Sequence, residues 1–149
     1  MKGKQVLPPT YLLVSIAAMV VLHFLLPVVT VIPLPWNVIG IIPLALGIAI
    51  NIVADSALHQ ASTTVKPFEE STALVTSGAY RISRHPMYLG FVLILIGVAI
   101  LLGSLSPCVV ILIFAALMDQ IFIKVEERML EARFGGEWQA YKLKIRRWI

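Results

Sequence analysis

YLLVSIAAMVVLHFLLPVVTVI, from Tyr11 to Ile32, contains no Asp, Glu, Lys or Arg. It exceeds the about 20 apolar residues that a helix needs to cross a bilayer core of about 30 Å. Three further apolar runs follow: Val38 to Ala54, Tyr88 to Leu105, and Cys108 to Ile123. All four are continuous and aliphatic and lack the strand-length alternation of a membrane barrel, so each reads as a helix. Pro33-Leu34-Pro35-Trp36-Asn37 joins the first pair as a rigid turn with an interfacial tryptophan, and Gly103-Ser104-Leu105-Ser106-Pro107 joins the second. The expected fold is all-α: a polytopic integral membrane protein of four transmembrane helices in two hairpins, with residues 1–149 forming one domain.

Composition agrees. Hydrophobic types make up 59% of the 149 residues and charged types 13%, with a mean hydropathy of +0.92, far from the balance of a soluble domain. The single cysteine, Cys108, lies in an apolar run and excludes an intrachain disulfide. Met1-Lys2-Gly3-Lys4 imitates the charged start of a signal peptide. The run behind it is too long for one, has no small-residue cleavage site, and is followed by further spans, so a first span is expected.

Charge orients the spans. Lys2, Lys4, Lys66, Arg81, Arg84, Lys124, Arg128, Arg133, Lys142, Lys144, Arg146 and Arg147 fall in the N-terminal, middle or C-terminal polar segments and never in the two hairpin turns. Both termini are therefore expected in the cytoplasm. The net charge of +4 is mainly a topology signal, with attraction to anionic membrane lipids secondary, and no nucleic-acid partner is expected. Within the spans the polar exceptions are His23, Asn51 and Asp119. The first two read as helix–helix contacts; Asp119 is either functional or close to the interface.

The middle segment, 55–87, is long for a connector, and long loops are functional or disordered. Aliphatic and aromatic residues interleave with its polar ones, which disfavours disorder. Pro86 suits the first position of a helix and restricts His85, so the third helix should start there. Free backbone N–H groups, the helix dipole, Arg84 and His85 then converge on one point. That point is either a site for a carboxylate or phosphate, or a basic pair anchoring a helix at headgroup level.

Beyond the fourth run the helix should continue to Gly135, a natural stop. Glu127 and Glu131 lie four residues apart on one face, which a cation or ligand must relieve. The tail aromatics Trp138, Tyr141 and Trp148, interleaved with basic residues, suit a segment lying against the membrane. There is no Gly-rich phosphate loop, no histidine pair at metal-ligand spacing and no Ser/His/Asp constellation; nucleotide hydrolysis and a metal centre are not expected.

Leu74-Val75-Thr76-Ser77-Gly78-Ala79-Tyr80, Arg84-His85-Pro86-Met87-Tyr88-Leu89-Gly90, Glu126-Glu127, and Phe134-Gly135 with Tyr141 following together resemble a known family. It is that of integral membrane methyltransferases, which includes isoprenylcysteine carboxyl methyltransferases and phospholipid N-methyltransferases. The resemblance implies S-adenosyl-L-methionine as methyl donor, held by the cytoplasmic loop and C-terminal helix. By position, the cofactor contacts fall on Leu74, Val75, Tyr80, His85, Pro86, Met87, Tyr88 and Glu126. Arg84 and Glu127 would act as the catalytic pair that orients the acceptor, an isoprenylcysteine carboxyl group or a lipid, or alternatively a small thiol or amine. The other reading is a non-enzymatic membrane subunit or scaffold in which Arg84-His85 and Glu126-Glu127 merely set topology. Two departures stand out: Phe122 occupies the place of an arginine expected to hold the carboxylate of a prenylcysteine, and Ala79 that of a proline. The chain is also short for the family, so part of the acceptor tunnel is absent or comes from a second copy in a homodimer.

Overall fold

The computed structural model describes residues 6–149; Lys2 and Lys4, with the signal-like start, lie outside the described residues. Among the described residues six α-helices follow one another: α1 (Pro8–Leu25), α2 (Ile41–Gln60), α3 (Pro86–Leu102), α4 (Cys108–Leu117), α5 (Lys124–Phe134) and α6 (Gly136–Lys144). Among the described residues there is no strand, only an isolated bridge between Thr30 and Ser104.

Prolines and left-handed residues set the boundaries. The first helix ends at Leu25, earlier than the apolar run suggested, because Pro27 lacks an N–H and pushes Leu26 out of the helical region. Residues 26–35 run on without helix. The second helix starts later than Val38, after a 3-10 turn at Trp36–Gly40, and continues past Ala54 to Gln60. It closes as a Schellman motif: Ser62 (φ 53°) donates to the His59 carbonyl and Thr63 to the Leu58 carbonyl. The third begins at Pro86, as the Arg-His-Pro sequence suggested, and stops at Gly103, whose φ of 73° an L side chain adopts only with strain.

Helix runs unbroken from Cys108 to Phe134 through a π-helical turn at Met118–Ile123, and Gly135 ends it as anticipated. Among the described residues, three helices are long and apolar enough to cross a membrane: Pro8–Leu25, Trp36–Gln60 and Cys108–Phe134. The third of the four expected spans corresponds to α3, an apolar helix of 17 residues that is shorter than these three.

α3 is the best buried of the apolar helices. Tyr88, Phe91, Leu95 and Ala99 of α3 pack with Met19 of α1 and Phe114, Met118 and Phe122 of the α4 line into one core. Large aliphatic residues of α1, α2 and α4, such as Leu13, Ile52 and Leu112, face outward, as a lipid-facing surface requires. α2 and α3 touch backbone to backbone at glycines. A Cβ on Gly97 would sit 2.6 Å from Leu44 Cβ, and one on Gly90 would collide with the Asn51 amide.

The two turns meet at one end of the bundle. Val31 and Ile32 donate to the Gly103 carbonyl, His23 Nδ1 lies 2.7 Å from Ser104 Oγ, and Asn37 donates to the Leu101 carbonyl at 2.7 Å. His23 therefore joins a helix to a turn, while Asn51, bonded to the Gly47 carbonyl, packs at the α2–α3 contact. The start of α1, the loop between α2 and α3, and the tail gather at the opposite end.

Candidate active site

At that opposite end the three segments enclose a cavity of about 440 Å³, within the range of small-molecule and cofactor sites. Leu74, Val75, Tyr80, His85, Pro86, Met87, Tyr88 and Glu126 all line it. Helix geometry explains part of this. His85 is the N-cap residue of α3 and Pro86 its first residue; the backbone N–H of Leu89 is already bonded to the His85 carbonyl, leaving those of Met87 and Tyr88 without intrahelical partners.

Glu126 joins α5 to that helix start. Its Oε1 accepts a 2.5 Å hydrogen bond from the Tyr88 hydroxyl, and its Oε2 lies 3.3 Å from His85 Nδ1. The other imidazole nitrogen, Nε2, is 3.4 Å from Glu127 Oε1, an ionic contact without hydrogen-bond alignment. Burial of the ring works against its charge, but the two carboxylates outweigh it and raise the His85 pKa. Tyr80 is raised by burial and then by the Glu126 charge, and burial pushes Tyr141 up to about 12. All stay neutral phenols at physiological pH.

The two residues assigned to the acceptor separate. Arg84 lies on the cavity wall, its side chain 8% exposed, with the guanidinium 5.6 Å over the Trp138 ring and Nη2 3.3 Å from Glu127. Its Nε and Nη1 are buried without partners, as is Trp138 Nε1. Glu127 does not line the cavity. It sits behind Arg84 and His85, taking hydrogen bonds from Arg147 Nε at 3.1 Å and Nη2 at 2.6 Å. Arg147 also donates from Nη1 to Asp119 at 3.0 Å, and its pKa rises chiefly through the bond to Glu127.

Several participants were not legible beforehand. Trp138 and Tyr141 turn inward, 1% and 7% exposed, contrary to the expectation that they lie against the membrane; burying two aromatic rings against Arg84 and Tyr80 wins over interfacial placement. Phe68, at φ 68°, lines the cavity and lies 5.4 Å from the ring of Phe122. Phe122 is itself buried, stacked on Tyr88 at 6.2 Å and edge-on to Tyr11 at 5.6 Å, so the place of the missing arginine is filled by aromatic packing. Arg147 had a signal: an acid in an apolar run, Asp119, demands a cation, and the Arg146-Arg147 pair supplies one.

An S-adenosyl sulfonium donor suits these residues. The cavity offers free helix-start amides and His85 for a carboxylate, Glu126 for an ammonium or hydroxyls, and Tyr80, Tyr88 and Phe91 as apolar or aromatic walls.

The chain is 39% identical over 99 residues to the protein-S-isoprenylcysteine O-methyltransferase of Saccharomyces cerevisiae, covering 64% of this chain but 40% of that enzyme. The similarly named Arabidopsis thaliana enzyme A is 36% identical over 77 residues, covering 50% of this chain and 38% of that one. An uncharacterised Haemophilus influenzae protein is 40% identical over 63 residues, its whole length and 42% of this chain. The chain thus spans well under half of the two named enzymes. No solved structure matches it. The family model described as phospholipid methyltransferase matches residues 36–137, more than half of the chain and the whole stretch from the second helix through the cavity-lining part of α5. By that match the chain belongs to the phospholipid methyltransferase family.

Proposed function

We propose that this chain is an S-adenosyl-L-methionine-dependent membrane methyltransferase whose acceptor is lipidic, either an isoprenylcysteine carboxylate or a membrane lipid. The observation that carries this reading is convergence: eight residues scattered from Leu74 to Glu126 line one cavity, and its remaining walls combine apolar side chains such as Leu58, Phe91 and Met129 with charged ones such as Lys66, Glu70 and Arg133. When bound, the donor supplies an electrophilic methyl group on a sulfonium. In-line displacement at such a carbon requires positioning and exclusion of water more than acid–base chemistry.

The chain's own groups have distinct tasks in this proposal. His85 and the first amides of α3 would hold the donor's carboxylate, Glu126 its ammonium or ribose, and Tyr80 and Tyr88 would offer aromatic faces to its sulfonium. Arg84 orients the acceptor at the cavity wall, with Glu127 holding Arg84 in place. Pro8, Pro9 and Phe68 provide an apolar side toward α1, where an acceptor enters laterally from the bilayer. The basic residues of the middle loop and tail support a cytoplasmic position for this end and both termini, with the donor arriving from the cytosol. Phe122 favours a second reading, a small thiol or amine as acceptor, since no arginine stands there to hold a prenylcysteine carboxylate.

Calorimetry of the purified protein with S-adenosylhomocysteine should show saturable heat; its absence sinks both readings. Transfer of a labelled methyl group to farnesylcysteine analogues, phosphatidylethanolamine and small thiols in parallel then decides the acceptor. Label on the thiols alone overturns the lipidic assignment.

A further inference from the structure

The segment that carries Tyr80, Arg84 and His85 is held in place by the chain's tail. Arg84 donates its backbone N–H to the Arg146 carbonyl at 3.0 Å, and Ser83 Oγ donates to the Arg147 carbonyl at 2.9 Å while accepting from the His85 backbone N–H at 3.1 Å. Ser83 is fully buried. Tyr141 adds a third tie, its hydroxyl donating to the Tyr80 carbonyl at 2.7 Å.

The side chain of Arg147 faces the other way and grips the helix line after α4. Its guanidinium donates to both oxygens of Glu127 and to Asp119 Oδ1 in the π-helical turn. Glu127 in turn touches Arg84 and His85. One residue thus closes a ring through its backbone to the loop and through its fork-shaped side chain to two carboxylates, a geometry that only a planar guanidinium supplies. The residues that match the family model end at 137, before this tail.

We propose that Arg147 is a positioning residue of the donor site: it clamps Glu127 and Asp119, and through Ser83 holds the Arg84-His85 start of α3 in its binding geometry. The proposal rests on the methyl-donor reading for its consequence, but the clamp itself is measurable without it. Without Arg147, Glu127 keeps only Arg84 and His85, and Asp119 keeps Lys124 at 3.8 Å.

The test uses the full chain in detergent and compares wild type, Arg147→Gln, Arg147→Lys and Asp119→Asn by amide hydrogen exchange and by calorimetry with S-adenosylhomocysteine. Arg147→Gln should speed exchange at the Arg84 and His85 amides and weaken ligand binding about tenfold or more, the scale of one lost charge-assisted hydrogen bond. Arg147→Lys should recover part of both effects by restoring charge without the fork. Should Arg147→Gln fail to fold, Asp119→Asn, which removes one of the two negative charges on the Arg147 guanidinium while keeping an acceptor oxygen, should give the same local exchange change at smaller amplitude. Wild-type exchange at Arg84 and His85 in the variants that fold overturns the clamp, whatever the binding data show. Faster exchange in a protein whose wild type binds no S-adenosylhomocysteine overturns the donor reading and leaves the clamp standing.

Discussion

The Tyr88 hydroxyl donates a 2.5 Å hydrogen bond to Glu126 Oε1, tying the first turn of α3 to the first turn of α5. These residues are 38 apart in sequence, and both line the cavity. The bond fixes the direction in which the carboxylate presents its remaining capacity, since Oε2 is already occupied by His85. Tyr88→Phe keeps the ring's packing against Phe122 and Phe91 and removes only the donor. It should weaken S-adenosylhomocysteine binding by about 10-fold, as expected when a hydrogen bond to a charged group is lost at roughly 1.5 kcal/mol. Titration calorimetry on the variant checks this, and an unchanged Kd would show that Glu126 needs no orienting partner.

His85 makes a pH prediction with a definite sign. Its pKa is raised in the folded chain above the ordinary value of 6.5, because Glu126 and Glu127 favour the imidazolium more than burial disfavours it. A group with a raised folded pKa contributes stability that is fully present below its unfolded value and is lost as pH climbs through the folded one. The melting temperature should therefore fall as pH rises above 6.5, and His85→Gln should flatten that slope. Thermal unfolding in detergent across this range, wild type against variant, measures it; equal slopes would remove His85 as the origin.

Gly97 lies at the closest approach of α2 and α3, where an added Cβ would meet Leu44 Cβ at 2.6 Å and the Gly40 carbonyl at 2.7 Å. One of those neighbours is backbone and cannot swing aside. Gly97→Val should destabilise the chain by about 1–3 kcal/mol, the usual effect of overpacking a tight contact, with a lower melting temperature as the readout. Gly136→Ala, where nothing lies within 4 Å of the added carbon, serves as the matched control and should melt within about 0.5 kcal/mol of wild type.

Legibility followed locality. Helix starts and stops governed by neighbours, such as Pro86 opening α3 and Gly135 ending α5, were readable because proline and glycine act on their own backbone. The early end of α1 at Leu25 was readable in principle from Pro27, but the length of the apolar run concealed it. The eight residues that carry the motif resemblance line one cavity, while Glu127, next to Glu126, does not line it. A helix turns about 100° per residue, so the two acids meet His85 at opposite ring nitrogens and only Glu126 reaches the cavity.

The sequence by itself determined that the chain is helical, apolar enough for a membrane and charged at one end of its hairpins, because hydropathy, proline placement and charge distribution are local sums over residues. Only the tertiary structure decided which carboxylate faces the cavity, that Trp138 and Tyr141 fold inward, and that Arg147 closes on Asp119 and Glu127. Those outcomes depend on where the tail docks against the start of α3. The docking is set by pairing buried charges and hydrogen-bond donors across more than 60 residues, and no local pattern encodes such a pairing.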